Sequence, residues 1–248
     1  MSAATHGTTA RKSPPAPAHW GRALRTILVS PSNGFEKALR LSRSDEGRGG
    51  RRVLVPALSA LGGAYLLLMF LKIRGLTGFR EVTPAEFDWS AFGLALAVAA
   101  LSGVLAQFLF GFAGAPATSR LGSRCKPQDL RTVWSLAGFP VAVGFLLLVV
   151  LDIAIAGRQA YSSVEGDALV TGWATGSLTV GLILGVWSLY LFAQGLGVAA
   201  EMRFSRSLLF VVVGSLCLAV AAPVATFVIY GMGMLTGLIV DLIQAVSR

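Results

Sequence analysis

The sequence predicts an all-α integral membrane bundle of five transmembrane helices, and three observations carry that reading. Of 248 residues, 54% are hydrophobic and 13% charged, about half the charged share of a typical soluble domain. Five stretches run for about 20 residues or more without a charge, enough to cross roughly 30 Å of hydrocarbon as helices. Lys and Arg crowd onto one side of those stretches. A water-soluble core of this composition would have too little polar surface to cover it.

Residues 1–19 are rich in Ala, Thr, Ser and Pro and lack the apolar run of a signal peptide; such a composition predicts a disordered tail. Residues 20–52 form a basic segment expected on the cytoplasmic side. Trp20, Leu24, Ile27 and Leu28 recur at helical spacing with Arg22 and Arg25 between them, the pattern of a helix lying in the headgroup plane. An ordinary solvated linker is the competing reading. Pro31 stops that helix, and Gly34 to Leu41 fits a second short turn. Arg22, Arg25, Arg51 and Arg52 are the expected contacts to anionic lipid headgroups.

The membrane domain is expected over 53–230. Val53 to Leu71 is the first span, with Pro56 in its first turn, where a missing amide costs little, and Lys72 as a flanking charge. Ala91 to Gly114 is the second, with Trp89 and Phe92 as interface anchors. Val133 to Leu151 is the third, kinked at Pro140 and followed by Asp152. Leu169 to Val198 is the fourth. Its glycines, Gly172, Gly176, Gly181 and Gly185, make small-xxx-small pairs that admit a second helix closely, either within the bundle or from another copy. Leu208 to Tyr230 suffices for the fifth. Residues 231–248 then carry Leu235, Leu238, Ile239, Leu242, Ile243 and Val246 as a 3,4 stripe, which predicts an amphipathic tail. Breaking the run at Pro223 into two short halves is the alternative.

With the N-terminus in the cytoplasm, sixteen Lys and Arg fall on inner segments and five on outer ones. This bias sets the orientation, and five crossings place the C-terminus outside. The net charge of +9 fits lipid better than nucleic acid, because ten of the 21 Lys and Arg precede Val53 and no aromatic platform or zinc spacing accompanies them.

The residues of common catalytic chemistry are scarce. His6 and His19 are the only histidines and both lie in the tail, so no helix presents an imidazole to a metal, a haem or a serine nucleophile. No phosphate-cradling glycine loop occurs. Asp152 and Asp241 read as solvated residues at span ends. The deep polar residues are neutral: Ser59, Ser102, Gln107, Thr179, Ser188 and Gln194. Gln107 is expected to form an interhelical hydrogen bond. No catalytic residue, metal or cofactor is expected. Cys125 and Cys217 read as unpaired thiols.

Three places along the chain resemble the Yip domain family of multi-pass membrane proteins. Ser30-Pro31-Ser32-Asn33-Gly34-Phe35 is similar to the proline-then-aromatic segment before the first helix. Leu121-Gly122, Val133-Trp134 and Gly138-Phe139-Pro140 look like the family's glycine loop and proline-bearing third helix. Trp187, Leu191, Gly195 and Leu196, then Ser205-Arg206-Ser207, resemble its exit from the fourth helix. Ser207 stands where the family usually has alanine, and the last hydrophobic run is longer than expected. The resemblance implies membrane shaping and vesicle traffic without catalysis for eukaryotic members; the glycine-rich helix faces, basic cytoplasmic front and scarcity of reactive groups predict a non-enzymatic membrane scaffold that organises partners or curvature. Its partners would be lipid and a protein, either another copy or an unidentified one. A small GTPase of the Rab type enters only for a eukaryotic member. The abundance of Ala, Gly and Arg points to a bacterial member in the cytoplasmic membrane, the eukaryotic counterparts residing in endoplasmic reticulum or Golgi. A small-solute permease is the alternative, raised by the neutral polar residues and helix-loosening glycines.

Overall fold

The computed structural model describes residues 20–77, 87–120, 123, 125–162 and 168–214. The expected N-terminal tail, Gly122, Cys217, Asp241, most of the fifth span and the amphipathic tail lie outside them. Among the described residues every regular element is helical: α1 (Trp20–Val29), α2 (Pro31–Arg43), α3 (Asp45–Thr77), α4 (Trp89–Arg120), α5 (Pro127–Ala137), α6 (Phe139–Ala156), a 3-10 turn (Gly157–Ala160), α7 (Ala168–Ala199) and α8 (Phe204–Gly214).

Four segments are long and apolar enough to cross a membrane: α3, α4, α5 with α6, and α7. The 32 residues of α4 rise about 48 Å, more than the roughly 30 Å of hydrocarbon. Apolar side chains cover their outward faces, among them Leu94, Val98, Leu101 and Leu105 on α4 and Val180, Ile183 and Val186 on α7. Such faces suit lipid and would be a large exposed patch in water. The chain is a multi-pass integral membrane protein.

The basic segment is more helical than its sequence suggested. Pro31 does end α1, but it also opens α2, because a residue at the first helical position needs no amide hydrogen. The expected short turn is a 13-residue helix. Gly34 permits the tight hairpin, since a Cβ there would meet the backbone of Ile27. Ile27 and Phe35 are wholly buried, in one core with Val133 and Leu136 of α5 and Leu191 and Leu196 of α7. The hairpin therefore caps one end of the bundle, with Arg22 and Arg25 turned outward. A second core, around Tyr65, Leu68, Met69, Phe92, Leu148 and Val170, fills the other end.

Pro56 sits differently from expectation, whereas Pro140 marks an irregularity as expected. Because α3 begins at Asp45, Pro56 lies inside the helix, three turns from its start. The third span is interrupted where Pro140 predicts a kink: Gly138 alone leaves the helix, keeping α-region dihedrals and an N–H bonded to Trp134 O. Proline has no amide hydrogen and its ring clashes with the carbonyl four residues back, so the helix is interrupted at Gly138 and Pro140 falls in the first turn of α6. The Ser188 hydroxyl of α7 donates to Ala137 O at 2.7 Å, satisfying a carbonyl at the break.

Glycine packing is found elsewhere than predicted. Gly181 does meet another helix: a Cβ there would run into Met69 and into Tyr65, whose hydroxyl donates to Gly181 O. Gly172, Gly176 and Gly185 face open space among the described residues. The close crossing is instead between α3 and α4. A Cβ on Gly63 would strike Ala99 O, and one on Gly103 would strike Ser59 O. Ser59 and Gly63, like Ala99 and Gly103, are small residues four apart.

Candidate functional site

Lys72 and Asp152, expected as flanking charges, are both fully buried. Lys72 is on α3, which continues to Thr77, and Asp152 is on the last turns of α6. Neither is a helix-end residue exposed to solvent. The Lys72 ammonium lies 2.7 Å from Asp152 Oδ2 and 2.9 Å from Oδ1, and donates to Ser177 Oγ on α7 at 2.8 Å. Tyr161 Oη donates to Oδ2 at 3.0 Å, and Trp173 Nε1 to Oδ1 at 2.9 Å. Phe92 stacks on Tyr161 with ring centroids 5.0 Å apart, walling the cluster with an aromatic face.

These distances fill every polar position. An ammonium has three donors and a carboxylate about four acceptor sites; here all are engaged by one another or by neutral side chains. A buried pair of this kind adds little net stability over apolar packing, yet removing one member strands the other in a medium that cannot solvate it. The cluster thus acts as a clasp that fixes the mutual position of α3, α6, α7 and the segment after the 3-10 turn.

A second, neutral polar group joins three helices. Gln107 of α4 is wholly buried, and its Oε1 accepts from Ser59 Oγ of α3 at 3.2 Å and Ser135 Oγ of α5 at 3.0 Å. The two hydroxyls lie 2.7 Å apart. This is the interhelical bond expected of Gln107, although its Nε2 meets no acceptor among the described residues. Ser135→Ala is expected to lower stability by about 0.6 kcal/mol and at most about 1.7 kcal/mol, read from detergent-induced unfolding. A larger loss would show that Ser135 does more than join helices. Among the described residues Ser102 and Thr179 bond carbonyls of their own helices, and Gln194 donates to Tyr190 Oη.

At the end capped by α1 and α2, Arg43 grips Asp129 through Nε and Nη2 at 3.2 and 2.8 Å. That hydrogen bond raises the guanidinium pKa, against a smaller opposing effect of burial. Arg51 reaches from α3 with Nη1 to two neutral acceptors, Ser42 O and Gln128 Oε1, and Arg52 is exposed. Asp88 caps α4 at the opposite end. The Ser90 hydroxyl and then the Ser90 N–H hold its carboxyl below the usual carboxylate range.

Residues of the family-like motifs are dispersed. Phe35 and Gly195 meet: a Cβ on Gly195 would lie 2.8 Å from the Phe35 ring and 2.7 Å from Val133 Cγ1. Pro31 and Pro140 open helices. Trp187 is exposed, 5.5 Å from the Tyr190 ring, and Arg206 is exposed at the start of α8.

Cys125 is buried and unpaired. Burial, with a smaller push from Asp129, raises its thiol from 9.0 to about 12. The group therefore stabilises the fold fully below about pH 9, a contribution lost as pH rises from there through about 12. Native protein carrying Cys217→Ser is expected to react with a maleimide at pH 8 far more slowly than the same protein unfolded in dodecyl sulfate; equal rates would contradict the buried placement.

Among the described residues no group of three or more His, Cys, Asp or Glu could hold a metal ion. No protein-family model, curated protein or solved structure matches the chain.

Proposed function

We propose that the chain is a non-enzymatic, Yip-like membrane scaffold of five spans with its N-terminus in the cytoplasm, in a bacterial cytoplasmic membrane. The saturated clasp carries this reading. A transport site keeps polar valence for its solute, whereas Lys72 and Asp152 spend theirs on Tyr161, Trp173, Ser177 and each other. The rigid bundle then serves to hold the α1–α2 hairpin and its exposed arginines at the membrane surface. The order of the Ser30 to Phe35, Gly138 to Pro140 and Trp187 to Ser207 segments supports the family. The test is crosslinking in native membranes from exposed positions on α1 and α2. A specific protein neighbour or a second copy is the expected product; a chain that stays alone and leaves vesicle shape unchanged would refute the scaffold.

The Gln107 Nε2 without an acceptor favours the second reading, a small-solute permease. Proteoliposome flux that is abolished by Gln107→Leu would establish it. Absence of solute-dependent flux over a broad panel would remove it.

A further inference from the structure

We propose that the outer seam where α5 packs on α4, near the end capped by α1 and α2, binds one anionic phospholipid. Arg131 and Arg51 take its phosphate and the outward face of α4 takes an acyl chain. The Arg131 stem crosses α4 where Gly111 has no side chain: a Cβ there would lie 2.5 Å from Arg131 Cγ. Its guanidinium stands over the Phe108 ring at 3.6 Å from the centroid, a geometry that orients the planar cation.

Arg131 forms no salt bridge among the described residues, and its Nε is buried without an acceptor. The nearby Asp129 is committed to Arg43. Arg51 reaches the same turn of α5, with Nη1 on Gln128 Oε1 at 3.0 Å, and its acceptors are neutral. Neither guanidinium is paired with a carboxylate among the described residues. A phosphodiester offers the planar, doubly accepting partner that guanidinium groups prefer.

The apolar half of the site adjoins the charged half. Val98, Leu101, Leu105 and Phe108 are all exposed and follow one another at steps of three or four along α4. That stripe is about 15 Å long, one leaflet of a hydrocarbon core of roughly 30 Å. Inorganic phosphate would satisfy the cations alone; a lipid satisfies both halves. This proposal rests on the membrane-spanning reading and on the lipid-facing basic end, not on the scaffold role.

The test is native mass spectrometry of the full chain in detergent with equal amounts of phosphatidylglycerol and phosphatidylcholine. One phosphatidylglycerol is expected to be retained in preference. Arg131→Gln is expected to weaken retention about fivefold to tenfold, and Arg51→Gln about fivefold, while Arg22→Gln on α1 changes it little. If Arg131→Gln does not fold, Arg51→Gln decides by the same readout. Equal retention of the two lipids, no loss in the variants, or displacement by soluble glycerol phosphate at the lipid's own concentration would overturn the proposal. A chain that keeps its phosphatidylglycerol but captures no neighbour overturns the scaffold alone.

Discussion

Asp152→Ala is expected to lower the stability of the bundle by about 3–5 kcal/mol, the loss typical of removing one partner from a buried ion pair. The substitution takes both carboxylate oxygens from the Lys72 ammonium and strands the Tyr161 hydroxyl and the Trp173 indole N–H. Lys72→Met is expected to be damaging for the mirror reason, since it leaves an anion with only neutral donors. Combining Lys72→Met with Asp152→Leu is expected to recover part of the loss, because no charge is then buried. Recovery stays incomplete: Tyr161 and Trp173 still lack an acceptor, at about 1–3 kcal/mol for each stranded group. Dodecyl sulfate unfolding in mixed micelles, followed by tryptophan fluorescence, reads all three. Wild-type stability in Asp152→Ala would mean that water reaches the pair, and the clasp would be no clasp.

The second large effect is expected at the crossing of α3 and α4. Gly63→Ala or Gly103→Ala places a methyl group against a carbonyl of the facing helix, and neither backbone can yield without separating the pair. Overpacking of this kind costs about 1–3 kcal/mol and occasionally more. Gly172→Ala and Gly176→Ala provide the contrast. Their positions are open among the described residues, so the better helix propensity of alanine is expected to raise stability by about 0.5–1 kcal/mol. The same unfolding assay separates the two pairs by sign. A loss at Gly172 or Gly176 matching that at Gly63 would place an unseen helix against α7.

The spans were legible because hydrophobic length is a one-dimensional signal: Ala91 to Gly114 and Leu169 to Val198 lie inside α4 and α7 with only short extensions. Gln107 was legible for the same reason, being a large amide in mid-span with few outlets except another helix. The clasp was missed because an uncharged run ends at a charge by definition, and that end was taken for the membrane edge. The inward register held the correct signal. Lys72 follows Tyr65, Leu68 and Met69 at helical steps, and Asp152 follows Val141, Gly144 and Leu148. A charge on the buried stripe belongs to the interior even at the end of a span.

The glycines show the opposite error. Spacing alone marked Gly172, Gly176, Gly181 and Gly185, but a small-residue pair means close packing only on a face that turns toward another helix. Ser59 with Gly63 and Ala99 with Gly103 met that condition, and their pattern was hidden because serine and alanine are less conspicuous than glycine. At Pro140 the irregularity was legible from the missing amide hydrogen, which interrupts the hydrogen-bond ladder one turn back.

The sidedness of the two chain ends tests the five-span account most directly. A pair of reporter fusions, one active only in the cytoplasm and one only beyond the membrane, placed in turn ahead of Met1 and behind Arg248, reads it in living cells. The N-terminal fusion is expected to report cytoplasm and the C-terminal fusion the far side. Both ends on one side would mean an even number of crossings and contradict the account.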